Sequence, residues 1–308
     1  RLKKLAHEKG LLMMGTDCGT GIISSIPIAF TNVVAPGNIG VVGASGTGIQ
    51  EVTTIIDRLG GGVVHAIGTG GRDLSDKVGA ITVKDAIVAL ENHEPTDVIC
   101  VISKPPAKEV RDEVVQLLQS ISKPVVAIFL GEKPEAHEGK VYLAHTLEET
   151  ARIAVDLANE EPVKANYFER VATPDVPKLA EDKVVKGLYS GGTLAAEAGM
   201  LISEALNLEG LVKQEGYILH SHGYDPEVRI KKIEDYAQDE QTGVILFDVV
   251  LGYGAHADMV GALLPAIEAA QQTAQAADRA LYFVATVCGT EKDPQNYQEA
   301  VNRLKAAG

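Results

Sequence analysis

A short run of small and hydroxyl-bearing residues carries the pattern best suited to hold an anion. Residues 43–48 read Gly-Ala-Ser-Gly-Thr-Gly; they follow the apolar run 39–42 and precede apolar residues at helical spacing. A strand that feeds a glycine turn and then a helix directs free N–H groups at one point, where a phosphate is stabilised. The spacing matches neither a dinucleotide fingerprint nor a P-loop. The pattern predicts either a phosphate site or a turn needed only for folding. The predicted phosphate ligands here are Ser45, Gly46, Thr47 and Gly48.

The same pattern returns in the second half of the chain. Residues 187–197 again read as a strand end, a glycine turn and a helix start, with Gly191, Gly192 and Thr193 as the matching phosphate ligands. Later strands also correspond in the two halves, which indicates a duplicated domain. Two such helix starts could face each other and bracket one anion. Glu51 and Glu197 each lie one turn into their helix and are predicted as catalytic carboxylates. The alternative is that duplication retained the turn for folding reasons alone.

Further candidates follow other predicted strands, because the ligands of a parallel sheet gather at the carboxyl ends of its strands. Gly71, Arg72 and Lys104 stand at such ends in the first half. The two cations could join the phosphate, or they could be ordinary solvated surface charges. Gly252 and Gly254 stand at a strand end in the second half and are predicted to bind phosphate as well.

An acid–base pair is one interpretation of His222 and Asp225, which lie three residues apart. Asp225 precedes Pro226, and an aspartate before a proline is also typical of a helix start. The sequence leaves these two interpretations open. The catalytic candidates are therefore Glu51, Glu197, His222 and Asp225, and no metal site is predicted.

Alternating strands and helices predict an α/β fold of two tandem flavodoxin-like, parallel-sheet domains. The first domain is assigned to residues 36–162 and the second to residues 184–308, with a proline-containing linker at 163–183 between them. Residues 1–35 look like the tail of a preceding α/β unit, with a helix at 2–9 and a strand at 11–14. We therefore expect this chain to be part of a longer protein. The predicted strands of the two domains are 39–42, 63–67, 98–102, 125–129, 186–189, 217–219, 244–249 and 281–287. The predicted helices are 47–59, 82–91, 107–120, 147–158, 193–206, 226–237, 257–276 and 294–307.

Composition narrows the class of partner. The 308 residues carry a formal charge of −14, which argues against nucleic acid and acidic membranes as partners. No run reaches transmembrane length and no signal peptide is visible. The three cysteines are scattered, which fits a reducing cytosol and predicts a cytoplasmic location. A phosphate-bearing ligand of so acidic a chain must be held locally, by helix ends and a few cations.

Five motifs taken together closely resemble the FdrA proteins of the succinyl-CoA synthetase superfamily. They lie at residues 37–47, 65–73, 103–106, 187–197 and 248–255. The resemblance implies two ligase domains, one like that of the synthetase α subunit and one like the C-terminal domain of the β subunit. It also implies an upstream Rossmann domain of the CoA-binding type, which residues 1–35 would end. In the parent synthetases two helices point their amino ends at a phosphohistidine. The helices starting at Gly46 and Gly192 match them, and Glu51 matches the glutamate of the α-type helix.

The chain departs from the synthetase pattern at the phosphorylated histidine. The family's Gly-His-Ala-Gly motif is absent, and His145 is the nearest histidine but lacks the flanking glycines. The nucleotide-binding ATP-grasp domain is also missing. The family setting includes ureide (allantoin) catabolism, where such proteins look like components of a carbamoyltransferase acting on oxamate and carbamoyl phosphate.

Three hypotheses follow from the resemblance and the residues together. The first is an acyl-CoA synthetase-like component that binds phosphate or acyl phosphate, and CoA. The second is a subunit of a carbamoyltransferase that uses carbamoyl phosphate. The third is a non-catalytic scaffold subunit that retained only the fold. Phosphate, carbamoyl phosphate and CoA are the expected ligands, with no covalently bound cofactor, and other protein subunits and a homo-oligomer are the expected partners.

Overall fold

The computed structural model describes residues 1–164, 182–205, 217–221 (backbone only) and 225–307. The chain divides into two compact units, Arg1–Phe168 and Glu169–Gly308, which we call unit 1 and unit 2. Each unit has its own sheet and its own hydrophobic core, and each is described separately below.

The described part of unit 1 is built on seven strands. They are β1 (Thr20–Ile23), β2 (Ile26–Ala29), β3 (Ile39–Gly43), β4 (Val63–Gly68), β5 (Val98–Ser103), β6 (Val125–Phe129) and β7 (Val141–Ala144). The helices are α1 (Leu2–Glu8), α2 (Gly46–Arg58), α3 (Ile81–Glu91), α4 (Lys108–Ser120) and α5 (Leu147–Ala158). The sheet order is β2-β1-β4-β3-β5-β6-β7, and β3 to β7 are parallel.

The centre of this sheet is apolar on both faces. Every residue of β3, β5 and β6 is buried, as expected for parallel strands with helices on both sides. Helix α2 contributes the apolar stripe Ile49, Val52 and Ile56, each with no exposed surface, and packs against α5. The buried strands therefore hold α2 rigidly at the middle of the sheet.

Unit 2 contains a smaller sheet in its described part. Its strands are β8 (Val184–Tyr189), β9 (Tyr217–Ser221), β10 (Thr242–Val250) and β11 (Tyr282–Cys288). Its helices are α6 (Gly192–Ala205), α7 (Pro226–Gln238), α8 (Met259–Ala276) and α9 (Tyr297–Ala306). The order is β11-β10-β8-β9, and all described neighbours are parallel. Its core joins the inner face of β10 to α8.

The predicted fold class is confirmed, since both units are α/β with parallel sheets. The predicted strands and helices of the two domains are found with ends shifted by a few residues, and β7 was missed. The assignment of the linker and of the domain boundaries stays a prediction.

The prediction for the first thirty-five residues needs one correction. The prediction of a strand at residues 11–14 is wrong, because these residues form no strand and Leu11 and Leu12 are exposed. Instead β1 and β2 form a hairpin, with β1 antiparallel to β4. Its turn uses Ser24 and Ser25 at positive φ, a conformation usually signalled by glycine or asparagine, so the sequence carried little sign of it.

Hydrogen bonds through two histidines link this hairpin to the rest of unit 1. The Ser24 N–H donates to His65 Nδ1 at 3.1 Å, so the proton of neutral His65 is on Nε2. His65 Nε2 lies 3.4 Å from His93 Nε2, and His93 Nδ1 lies 2.9 Å from Thr96 Oγ1. The chain of hydrogen bonds is complete only when both rings are neutral. Burial, and next the proximity of His93, lower the pKa of His65 below its ordinary value.

We predict that this histidine pair makes unit 1 less stable in mild acid. The pKa of His65 is lower in the folded state, so the unfolded chain binds more protons as the pH falls below the ordinary histidine value of 6.5. The stabilisation is therefore present above that value and is lost as the pH falls through the folded pKa. Urea unfolding at about pH 8 and about pH 5.5 measures the loss. The variant His65→Asn keeps an acceptor for Ser24 but does not titrate, so it should lose less stability than the parent. An equal loss in both proteins would contradict the assignment.

Candidate functional site

The amino end of α2 in unit 1 is held by contacts that leave its first amides open. Ser45 is the N-cap, and its Oγ accepts the N–H of Gly48 at 3.0 Å. A Cβ on Gly43 would lie 2.5 Å from Ile49 Cγ1, so only glycine lets the first turn pack this closely on β3. Within the described residues, the amides of Gly46 and Thr47 donate to no other group. These two N–H groups are the ones available to a ligand.

The predicted phosphate ligands of unit 1 are thus not equivalent. Gly46 and Thr47 are half-buried and offer free amides, whereas the amide of Gly48 is satisfied by Ser45. Glu51 lies in the second turn of α2 and is only 8% exposed, so its side chain is buried near the start of the helix. No observation tests phosphate binding or catalysis by these residues, and both stay predictions.

The ends of the three central strands are tied to one another. Thr69, just after β4, donates its N–H to Gly43 O at 2.8 Å, and Ala44 donates to Ile102 O of β5 at 2.9 Å. These bonds bring the segments after β4 and β5 beside the start of α2. Parallel strands with neighbouring carboxyl ends make this geometry possible.

Lys104 and Gly71 meet at this edge. A Cβ on Gly71 would lie 3.5 Å from Lys104 Nζ and 3.8 Å from Ala44 O, so the ammonium lies over the Gly71 backbone. Lys104 is half-buried, and its side chain makes no ion pair or hydrogen bond with the described residues. Arg72 is also without a side-chain partner in the described part of unit 1, but it is exposed. The structure therefore groups Lys104 and Gly71 with the α2 start, and places Arg72 at the rim.

Residues before β3 also contribute to this edge, and sequence reasoning did not select them as site residues. Asp17 Oδ1 accepts the N–H of Gly71 at 3.2 Å. A Cβ on Gly46 would lie 3.1 Å from Thr20 Oγ1, so this buried hydroxyl borders the α2 start. Both positions follow from the hairpin: β1 is antiparallel to β4, so its first residue lies at the carboxyl end of β4. Cys18 lies between them; burial raises the pKa of its thiol, which fits a small buried group better than a nucleophile.

The corresponding end in unit 2 is organised around a buried carboxylate. Asp248 of β10 has no exposed surface, and its Oδ1 accepts the N–H and the Oγ–H of Ser190, at 2.7 and 2.8 Å. Ser190 and Gly191 immediately precede α6. The backbone just before this helix therefore already donates to an internal anion, unlike the corresponding backbone of unit 1.

A buried arginine accompanies that carboxylate. Arg229 of α7 is also fully buried, and its Nη2 lies 3.6 Å from Asp248 Oδ1. The same nitrogen donates to Leu188 O at 3.0 Å and to Asp248 O at 2.6 Å, which joins the ends of β8 and β10. Burial raises the pKa of Asp248, while Arg229 and Ser190 oppose that rise. Burial, and next the charges of Asp248 and Glu197, raise the pKa of Tyr189.

The remaining predicted residues of unit 2 have mixed outcomes. Thr193 is buried at the start of α6, Gly192 is exposed, and Glu197 is half-buried and close enough to act on Tyr189. Phosphate binding by Gly191, Gly192 and Thr193 stays a prediction, as does the bracketing of one anion by two helix ends.

The glycine loop after β10 uses its backbone internally. Gly252 and Gly254 both have positive φ, at 105° and 77°. The N–H of Gly252 donates to Gln295 Oε1 at 3.0 Å, and Gln295 Nε2 donates back to Gly252 O at 3.0 Å. The amide of Gly252 is therefore occupied, and phosphate binding at this loop stays a prediction without support from the geometry.

Asp225 acts as a helix cap. Its Oδ1 accepts the N–H of Glu227 at 2.9 Å, and Pro226 is the first residue of α7. The capping interpretation thus accounts for this exposed side chain. His222, its predicted acid–base partner, lies outside the described residues, so catalysis by this pair stays a prediction.

Two negative findings apply to the described residues only. None of the described helices is both long enough and apolar enough to cross a membrane. No group of three or more His, Cys, Asp or Glu side chains in the same set is arranged to hold a metal ion.

Two segments of the chain match known protein families. Residues 34–131 match the CoA binding domain, and residues 188–308 match the CoA-ligase family. The chain therefore carries CoA-binding and CoA-ligase domains of the succinyl-CoA synthetase type.

Individual relatives share these features over part of their length. The uncharacterized protein YahF of Escherichia coli (strain K12) is 38% identical; the match covers all of this chain and 65% of that protein. The α subunit of malate–CoA ligase from Methylorubrum extorquens is 25% identical over 42% of this chain and 44% of its own length. The chain thus spans less than two thirds of either relative. Among solved structures, the dinucleotide-forming acetyl-coenzyme A synthetase 1 of Ca. Korarchaeum cryptofilum aligns with 99% of this chain and 68% of its own, at 13% identity and a TM-score of 0.40.

We predict that the buried ion pair of unit 2 can be broken only at a large cost. The variant Asp248→Ala leaves Arg229 buried without its counter-charge, so the free energy of unfolding of unit 2 should fall by about 3–5 kcal/mol. Urea unfolding measures the change. The matched control Asp258→Ala removes an exposed cap of α8 together with its ion pair to Arg303, and should cost about 1–2 kcal/mol. Equal costs in the two variants would show that the Asp248 network is not a structural centre.

Proposed function

We propose that this chain is a component of a CoA-ligase-type enzyme and that it binds a phosphate or acyl phosphate at the amino end of α2. One observation carries the proposal: the open amides of Gly46 and Thr47 lie at the same edge of unit 1 as the ammonium of Lys104, which has no ion-pair or hydrogen-bond partner among the described residues. CoA-ligase and CoA-binding matches to the two halves support the enzyme class.

Electrostatics favour an anion at this point in spite of the chain's formal charge of −14. The amino end of a helix carries about half a positive charge, and its effect is strongest within the first turn. Lys104 adds a full charge that is only half exposed, so water screens it less than a surface lysine. Asp17 is the opposing charge at this edge, and the bond from the Gly71 amide offsets only part of it. The proposal therefore requires the helix end and Lys104 together to outweigh this carboxylate.

The chemistry open to such a site is transfer of an acyl group from or to phosphate. Helix-end amides and a lysine would stabilise the phosphate as a leaving group, and the charge that develops on it would be met by donors already in place. CoA is the expected acceptor for an acyl-CoA synthetase-like component. A relative of this chain is named as a subunit of a malate–CoA ligase, which supports the further proposal that other subunits complete the enzyme.

A second candidate is a carbamoyltransferase subunit of the FdrA type, which would use carbamoyl phosphate and a nitrogen acceptor such as oxamate. The position of His145 favours it. His145 follows β7, three strands from β3 in the sheet, and its Nδ1 is 2.8 Å from Glu132 O. Strands are about 4.8 Å apart, so this histidine is about 14 Å from the strand that leads into α2. Direct carbamoyl transfer needs a held phosphate but no phosphohistidine.

The cellular setting is part of the same proposal. All three cysteines are free thiols, which is consistent with a reducing cytoplasm. A homo-oligomer is also proposed, and size-exclusion chromatography with light scattering would measure it.

We predict that two substitutions at the α2 end weaken phosphate binding. Thr47→Arg fills the mouth of the helix start and should abolish binding, and Lys104→Ala should weaken it by about three- to ten-fold, because a charged donor is lost. Calorimetric titration of the whole chain with inorganic phosphate measures both. Lys140→Ala removes an exposed lysine just before β7, at the opposite edge of the sheet, and is the matched control. Unchanged phosphate affinity in Thr47→Arg, with the fold intact by circular dichroism, would refute the site.

The choice of reaction is tested with the wild-type chain. Acetyl phosphate carries a methyl group where carbamoyl phosphate carries an amino group. Their relative affinities therefore distinguish an acyl site from a carbamoyl site. Titration with CoA in parallel tests the ligase reaction directly. Binding of CoA with no preference for carbamoyl phosphate supports the first candidate. Preference for carbamoyl phosphate without CoA binding supports the second candidate. If the chain binds none of these anions, the result supports a non-catalytic scaffold.

A further inference from the structure

The hydroxyl of Thr20 faces the start of α2 from the side of the β1–β2 hairpin. Thr20 is the first residue of β1, and it is only 3% exposed. A Cβ built on Gly46 would lie 3.1 Å from Thr20 Oγ1 and 4.0 Å from Thr20 Cβ, so the oxygen is the part of this side chain nearest to the helix. Because Gly46 has no side chain, nothing at that position covers the hydroxyl.

This hydroxyl makes no hydrogen bond within the described part of the chain. The backbone oxygen of Thr20 accepts the thiol of Cys18 at 3.3 Å, but Oγ1 has no such partner. Thr31, just after β2, shows the usual behaviour: its Oγ1 donates to Ile28 O at 2.6 Å and accepts the N–H of Gly21 at 3.1 Å. Buried hydroxyls are nearly always hydrogen-bonded, because an unpaired one loses its bonds to water without replacement. A buried, unpaired hydroxyl that faces a helix start is therefore a donor suited to a ligand at that helix start.

The donors at this helix start come from three different elements of unit 1. The open amides of Gly46 and Thr47 belong to α2 itself. Thr20 lies on β1 and Lys104 follows β5. In the sheet order β1-β4-β3-β5 these two strands lie on opposite sides of β3, which leads into α2. A tetrahedral phosphate has oxygens that point in several directions, so a single ion can accept from donors on both sides of the helix axis.

We infer that Thr20 is a binding residue of the phosphate site, and that its hydroxyl donates to a phosphate oxygen beside the α2 amides. The inference rests on the proposed function, because it assigns a further ligand to that same site. The role requires the hydroxyl and not the shape of the side chain. Valine has the same shape without the hydroxyl, and serine keeps the hydroxyl without the methyl group, so the two replacements separate the donor from the shape.

Calorimetric titration of the whole chain with inorganic phosphate tests this assignment. Thr20→Val should weaken phosphate binding by about ten-fold, as expected when a hydrogen bond to a charged group is lost. Thr20→Ser should bind phosphate nearly as tightly as the parent chain, because it keeps the donor. The matched control is Thr31→Val, which removes a buried hydroxyl from the same hairpin and should leave phosphate affinity unchanged.

Urea unfolding in phosphate-free buffer distinguishes a ligand-binding residue from a structural one. Thr20→Val should leave the unfolding midpoint unchanged or raise it slightly, because its hydroxyl has no partner to lose among the described residues. Thr31→Val should lower the midpoint, because its hydroxyl bonds within the hairpin. Added phosphate should then raise the midpoint of Thr31→Val as much as that of the parent chain, and should raise that of Thr20→Val by less.

Three results would overturn the inference: unchanged phosphate affinity in Thr20→Val, an equal loss of affinity in Thr20→Ser, or a lower unfolding midpoint of Thr20→Val without phosphate, which would assign a structural role instead. Failure of this inference is distinguishable from failure of the proposed function. If the parent chain binds no phosphate, the site itself is refuted and the role of Thr20 with it. If the parent chain and Thr20→Val bind phosphate equally well, only the role of Thr20 is refuted and the site is retained.

Discussion

The close packing of α2 on the end of β3 is the contact on which the candidate site depends. Gly43 has no side chain, so Ile49 can lie against the strand end, and Ser45 then caps the helix. The carbonyl of Gly43 accepts the amide of Thr69, and the next residue donates to Ile102. One turn thereby fixes the ends of three parallel strands relative to a helix start. A larger residue at Gly43 would push the helix away and separate the amides from Lys104 and Gly71.

The two units resolve the same physical problem in different ways. A helix amino end needs a negative partner or acceptors for its first amides. In unit 1 the cap satisfies Gly48 and leaves Gly46 and Thr47 open, with a lysine close by. In unit 2 the backbone before α6 donates to the buried carboxylate of Asp248, whose charge is balanced by Arg229. The two units thus share a similar motif. In unit 1 two amides at the helix start have no acceptor among the described residues, whereas in unit 2 the backbone before the helix donates to a buried carboxylate.

The local distribution of charge in the first unit differs from the net charge of the chain. The chain is acidic overall, yet Lys104 and Lys77 lie unpaired at the same sheet edge within its described part. The proposed phosphate site and a neighbouring cavity of unit 1 share the loop after β4, so a change in that loop would affect both. Asp17 accepts the Gly71 amide and also lines that cavity.

The sequence by itself determined the class of fold and, to within one residue, the starts of α2 and α6. Continuous apolar runs such as 98–102, alternating with amphipathic segments, specify parallel strands and covering helices because burial on both faces demands them. The hairpin β1–β2 was not predictable in this way, since its strands have four residues and its Ser24-Ser25 turn lacks the usual glycine signal. Tertiary structure alone decided which charges are paired. Lys104 stands between Ser103 and Pro105, and Lys3 between Leu2 and Lys4, and neither setting shows whether the lysine is paired. Only the fold brings Asp73 to Lys3 and leaves Lys104 unpartnered among the described residues. Asp248 and Arg229 likewise meet only because β10 and α7 pack together, and long-range pairing of this kind has no local pattern in a single sequence.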